Sequence, residues 1–147
     1  MKLEIEKFKF VGEIYIWKYT SNNKNYPGWN LSLNISGAQS LLKLLDLMLQ
    51  SEWSVKKAIE VNNVTNFQTD IPQNRNSGWE SKKTIIFNYK KNNYFDYWQI
   101  IENGQNLEIL FDNEKLLKLK ESIHNLIFGK RDFAISDSNE ENILYFW

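Results

Sequence analysis

Apolar and polar positions alternate along much of the chain, a pattern that is typical of half-buried β-strands. Alternating runs occupy residues 8–17, 29–35 and 53–61, and each predicts a strand. A change of phase near Lys7 indicates a β-bulge at the start of the first run. The first half of the chain therefore predicts strands that each bury one face.

The second half predicts an antiparallel meander. Strand-like runs cover residues 82–91 and 94–102, and Asn103-Gly104 supplies a type I′ turn into a third run over residues 107–111. Two short strands, over residues 133–135 and 143–147, follow near the C-terminus. The expected sheet is therefore mainly antiparallel.

Two segments show helical spacing of apolar residues. The first follows a capping box of Ser36 and Gln39, and its wide apolar arc is typical of a helix that lies across a sheet. The second begins after Asp112, which can cap it, and ends before Gly129, which fits the left-handed position that follows a helix. Both helices are predicted to be amphipathic.

These elements predict an α+β fold in which two amphipathic helices pack on a mainly antiparallel sheet. Residues 30–36 and 106–112 each give a strand, a cap and a helix at an offset of 76 residues. One interpretation is a diverged strand–helix duplication. The other is that any strand followed by a capped helix shows this pattern.

Residues 62–81 form a long polar stretch that contains Pro72 and Gly78. Loops of this length are uncommon in compact domains, and they are more often functional or mobile than idle. The stretch is therefore a candidate functional loop.

Composition indicates one globular domain over residues 1–147, with 42% hydrophobic and 24% charged residues. The chain has no cysteine, which excludes disulfides, thiolate zinc sites and thiol catalysis. Its 18 basic and 18 acidic residues cancel, so no net field attracts nucleic acid or an anionic membrane. No apolar run is long enough to span a bilayer, and no signal peptide is evident. We expect a cytoplasmic protein.

Catalytic patterns are missing from the sequence. His124 is the only histidine and lies within the second predicted helix, which argues against a catalytic triad and excludes a two-histidine metal site. Asp137 to Glu141 lacks the glycine and spacing of a calcium loop, and no glycine-rich phosphate loop occurs. Strand carboxylates could form a glycosidase pair, but nothing singles one out. We therefore predict a protein that is not an enzyme, with no catalytic residues, metal or cofactor.

Aromatic residues make up 15% of the chain and suggest a binding surface. Alternation places Tyr94, Asp96 and Trp98 on one face, and Arg75 and Trp79 add similar chemistry from the long loop. Tyr, Trp and Arg are enriched at interface hot spots, so these five residues form the predicted partner-binding set. Two alternatives stay open: aromatics shared between core and surface, and a platform that stacks single-stranded nucleic acid.

A resemblance points to a class of partner. Residues 129–135, the ending Leu144-Tyr145-Phe146-Trp147 and the segment Gly28-Trp29-Asn30-Leu31 resemble small bacterial proteins similar to immunity proteins of polymorphic toxin and contact-dependent inhibition systems. The resemblance implies a protein that binds a cognate toxin domain made by the same cell and occludes its active site or substrate groove. The alternative function is a single-stranded nucleic-acid-binding protein that uses the sheet aromatics.

Overall fold

A computed structural model describes residues 2–21, 25–71, 74, 77–91, 95–130 and 133–147. Within these ranges it contains four helices and nine strands, and it confirms the α+β class. The helices are α1 (Lys2–Lys7), α2 (Ile35–Gln50), α3 (Asn66–Thr69) and α4 (Asn113–Ile127). The strands are β1 (Ile14–Tyr19), β2 (Trp29–Leu33), β3 (Val55–Glu60), β4 (Trp79–Ser81), β5 (Thr84–Tyr89), β6 (Trp98–Asn103), β7 (Asn106–Phe111), β8 (Phe133–Ile135) and β9 (Leu144–Phe146).

The strands form two sheets. Sheet A has the order β4-β1-β2-β9-β8, and sheet B has the order β3-β5-β7-β6. The β2–β9 and β5–β7 pairs are parallel, and all the other pairs between the described strands are antiparallel. The inward side chains of both sheets and the apolar faces of α2 and α4 make up the main core.

The two halves of the chain have the same order of strands and helix, and each half contributes strands to both sheets. In each half, an antiparallel hairpin runs into a helix and then into a second antiparallel pair: β1-β2-α2-β3-β5 and β6-β7-α4-β8-β9. The second pair of each half joins the first hairpin of the other half, through β2–β9 and β5–β7. The strand–helix pattern that occurs twice in the sequence thus corresponds to a structural repeat, with helix starts 78 residues apart rather than 76.

Both long helices are capped by side chains. Asp112 accepts a hydrogen bond from the backbone N–H of Lys115, as expected, and Gly129 adopts a φ of +80° after α4. The cap of α2 is Asn34, which accepts from the N–H of Gly37 at 2.8 Å, so the predicted box at Ser36 is two residues late.

No helix in the described part of the chain is long and apolar enough to cross a membrane.

The predicted strand over residues 8–17 is wrong before Ile14. Residues 2–7 form α1, and the chain then crosses the start of α2 at Gly12, which has a φ of +115°. A Cβ at Gly12 would lie 2.2 Å from the backbone nitrogen of Gly37, so the two segments touch through their backbones. A segment held against a helix in this way does not pair with a sheet, although its apolar residues alternate.

The predicted antiparallel meander is also wrong in its strand order. β7 lies between β5 and β6 and runs parallel to β5, so β5 and β6 do not pair. The hairpin that joins β6 to β7 has Gly104 and Gln105 as its central residues, and only Gly104 has a positive φ. This geometry fits a type II′ turn, because type I′ needs a positive φ at both central positions.

Candidate functional site

The face of sheet A that points away from α2 and α4 carries a second, aromatic core. Trp17 and Tyr19 of β1 are fully buried there, and Tyr26 makes edge-to-face contacts with Tyr145 and Trp147 at centroid distances of 5.1 and 5.0 Å. Most of the aromatic surplus in the described chain is therefore structural. The members of this cluster are Tyr15, Trp17, Tyr19, Tyr26, Val64, Ile71, Trp79, Tyr145 and Trp147.

The long polar stretch covers this aromatic core. We call its described residues, 62–71, 74, 77 and 78, the cover segment. Asn62 exchanges hydrogen bonds with the backbone of Ile14 at 2.8 and 2.9 Å, and the carbonyl of Gly78 accepts from the N–H of Thr20 at 2.9 Å. In between, the buried hydroxyl of Tyr19 donates to the carbonyl of Thr69 at 2.8 Å. The cover segment is thus fixed to β1 at both ends and in the middle.

An open groove lies between the cover segment and the edge of the aromatic core, with a volume of about 790 Å³. We call it the outer groove. Its floor and walls combine aromatic, amide and carboxylate side chains, and none of these lining residues is cationic. The lining residues are Glu13, Tyr15, Ser32, Leu33, Asn34, Phe67, Gln68, Asp70, Ile71 and Trp147.

Phe67 is the most exposed of these apolar side chains. It lies on the single-turn helix α3 and is 91% exposed. A capping box holds this turn, because Thr65 accepts from the N–H of Phe67 and the Gln68 side chain accepts from the N–H of Thr65 at 2.8 Å. A large apolar side chain is therefore presented to solvent from a backbone that is already ordered.

Glu13 supplies a fixed negative charge in the outer groove. One carboxylate oxygen accepts a short hydrogen bond from the Tyr15 hydroxyl, and the other accepts from Nδ2 of Asn34 at 2.9 Å. The acceptor at Glu13 raises the pKa of the Tyr15 hydroxyl above its ordinary value, and burial adds to this rise. Among the described residues, none of the four ion pairs includes Glu13, so its charge is held only by neutral donors.

Trp147 forms part of the groove floor and is anchored by a buried amide. Its indole Nε1 donates to Oδ1 of Asn30 at 2.9 Å, and Asn30 is itself completely buried on β2. Its backbone N–H donates to the carbonyl of Leu31. The ring is thus held in one orientation and leaves part of its surface open to the groove.

The described members of the predicted partner-binding set, Trp79, Asp96 and Trp98, each contribute to the fold. Trp79 packs half-buried at the edge of the aromatic core, where its Nε1 lies 3.5 Å from Oδ1 of Asn66. Trp98 is only 4% exposed and donates to the carbonyl of Asn142 at 2.8 Å, so it belongs to the main core and cannot serve as an exposed anchor. Arg75 and Tyr94 lie outside the described residues.

Asp96 also has a structural role. Its carboxylate lies 3.2 Å from the ammonium of Lys115, which is 5% exposed and also donates to the carbonyl of Ser136. Asp96 adopts a φ of +52° immediately before β6, which breaks the alternation that was expected to place it beside Trp98. The ion pair compensates the buried charge of Lys115.

Acidic and histidine side chains do not gather into a metal site in the described part of the chain. No group of three or more acidic or histidine side chains converges there in a way that could hold a metal ion. His124 is exposed on α4, and its backbone carbonyl accepts from the N–H of Phe128. The outer groove can bind through apolar contact, hydrogen bonds and negative charge.

Sequence reasoning missed Glu13, Phe67 and Trp147 as groove residues. The capping box of Thr65 and Gln68 could have been recognised in the sequence. It predicts a helical turn that exposes the residues between them. Comparison with protein-family models, curated proteins and solved structures finds no match to this chain. A function for this protein is therefore inferred from the outer groove and from the pattern of the sequence.

Proposed function

We propose that this protein is an immunity-type inhibitor that binds a cognate toxin domain and occludes its active site or substrate groove. The observation that carries the proposal is the outer groove, in which Phe67, 91% exposed on a hydrogen-bonded helical turn, stands beside an aromatic floor. Exposed aromatic anchors on ordered backbone are typical of interface hot spots, because little conformational freedom is lost on binding. The resemblance of the sequence to immunity proteins supports the same role.

The charge of the outer groove favours a protein over a nucleic acid. Glu13 lines the groove, and its carboxylate would repel a phosphate backbone where a nucleic-acid platform needs Lys or Arg. The burial of Trp98 also removes one aromatic residue on which the single-stranded nucleic-acid alternative relied. Binding of a toxin domain is therefore the function that the described surface supports best.

The proposal is tested by co-expressing this protein with the product of the neighbouring open reading frame, which we expect to carry the toxin domain. We expect cells to survive the toxin with the wild-type protein and the purified pair to form a stoichiometric complex. Replacing Phe67 by Ala should weaken the complex at least about tenfold, since truncation of a hot-spot aromatic typically costs 2 kcal/mol or more. Isothermal titration with each variant gives the affinities.

Phe128→Ala is the matched control, because Phe128 is also an exposed phenylalanine, at the end of α4. It should leave both survival and affinity unchanged. Death of cells that carry the wild-type protein would refute the proposed function. Equal affinities for the Phe67→Ala and Phe128→Ala variants would show that a partner binds elsewhere.

A further inference from the structure

The carboxylate of Glu13 in the outer groove is oriented by hydrogen bonds, and no cation among the described residues forms an ion pair with it. Glu13 is fixed by Tyr15 and Asn34, and Oδ1 of Asn34 in turn accepts from the N–H groups of Glu13 and Gly37 at 2.8 Å each. The position of the carboxylate is therefore tied to the start of α2. A charge held in this way needs little further ordering before it can bind a cation.

The geometry points to a specific occupant: an extended segment of the partner protein in which an arginine stands between apolar residues. Its guanidinium would bind Glu13, and a neighbouring apolar side chain would pack on Phe67. This inference rests on the proposed function, because it names the segment that the partner would insert into the outer groove.

The Glu13 carboxylate can accept further hydrogen bonds from a guanidinium. An ionised carboxylate has about four lone-pair sites, and only two of those of Glu13 are used, one on each oxygen. A guanidinium presents parallel N–H donors that match the two oxygens of a carboxylate. The contact can therefore form while the bonds from Tyr15 and Asn34 are kept.

The aromatic floor favours arginine over lysine. The guanidinium is planar and weakly hydrated, so its face can lie against the ring of Tyr15 or Trp147 while its edge binds the carboxylate. An ammonium is compact and strongly hydrated, and it lacks a flat surface. Apolar residues on either side of the arginine would pack against Phe67, Leu33 and Ile71, which line the same groove.

Two blocked tripeptides test the inference: isoleucine–arginine–isoleucine and its counterpart with neutral citrulline in place of arginine. Binding is followed by NMR through the indole N–H of Trp147 during titration of the full-length protein. We expect the arginine peptide to bind about fivefold tighter or more, because it adds a charge-assisted contact that citrulline cannot make. This comparison uses the wild-type protein and does not depend on a variant that folds.

Glu13→Gln should abolish the preference for arginine, whereas Glu52→Gln, which removes the same charge from an exposed position outside the groove, should preserve it. Equal binding of both peptides, no saturable binding of either one, or a preference that persists in Glu13→Gln overturns the inference. In the wild-type protein, equal binding of the two peptides together with intact toxin neutralisation refutes the segment alone, and a preference for arginine without neutralisation refutes the proposed function alone.

Discussion

Two aromatic residues show how strongly surroundings decide a side chain's role. Trp98 is buried at the start of β6, and its one polar atom donates to the carbonyl of Asn142, so both parts of the side chain serve the fold. Phe67 is a large apolar side chain, yet α3 exposes it almost fully to solvent. The alternation of apolar and polar residues does not show which apolar residues other parts of the chain will cover.

The roles of two tryptophans can be separated by their effects on stability. Trp98→Ala should lower the free energy of unfolding by about 3–5 kcal/mol, because it opens a large cavity in the main core. Trp79→Ala should cost about 1 kcal/mol, since a half-buried side chain loses less transfer free energy. Urea unfolding of both variants measures the difference. Equal losses would contradict the placement of Trp98 in the core.

At the scale of elements, the β8–β9 connection is held by one carboxylate. Asp137 accepts hydrogen bonds from the backbone N–H groups of Asn142 and Glu141 at 3.0 and 2.8 Å, and from Nδ2 of Asn142. The oriented Asn142 then accepts from the backbone N–H of Ile100 on β6 at 3.1 Å. The connection therefore shields part of the outer edge of sheet B from further pairing.

The pH dependence of stability should report this network. Hydrogen bonds from Asn142, and then from Glu141 and Ser136, hold the pKa of Asp137 below its ordinary value of 3.8, although partial burial opposes them. A lowered pKa in the folded state contributes stability above the unfolded pKa, and this contribution is lost as the pH falls through the folded pKa. Wild-type protein should therefore be more stable than the Asp137→Asn variant at neutral pH, and the gap should close in acid. Urea unfolding from neutral to acid pH measures the difference in the free energy of unfolding between the two proteins. A difference that is independent of pH would contradict the role of the charge.

Local patterns predicted most elements but not their neighbours. β2, β3 and both long helices follow from alternation, helical spacing and caps that lie within a few residues. The insertion of β7 between β5 and β6 depends on the pairing of Ile85 with Leu107 and of Ile100 with Ile109, which no local signal encodes. The outer groove was missed for the same reason, since Glu13, Phe67 and Trp147 meet only after the cover segment has folded onto sheet A.

At the scale of the whole molecule, the exchange of strands ties the two halves together. Sheet A needs β9 from the second half, and sheet B needs β3 and β5 from the first. The helices α2 and α4 pack on each other as well as on the sheets. Neither half closes a core without the other, so we expect a single cooperative unit.

Substitutions in the two sheets test this cooperativity. Leu31→Ala in β2 and Ile109→Ala in β7 each remove a fully buried side chain and should each lower the free energy of unfolding by about 2–5 kcal/mol. Hydrogen exchange should show that each variant weakens protection in both sheets equally, because both open in the same event. Protection lost in only one sheet would contradict a shared core.

The central claim is that a partner protein binds in the outer groove. Hydrogen exchange of the complex purified with the product of the neighbouring open reading frame tests this binding, by comparing each amide with the free protein. The account predicts new protection in residues 65–71 and 13–15, with little change around Trp53 and Phe95, which are also exposed. Failure to form a complex, or protection confined to the Trp53 and Phe95 region, would contradict it.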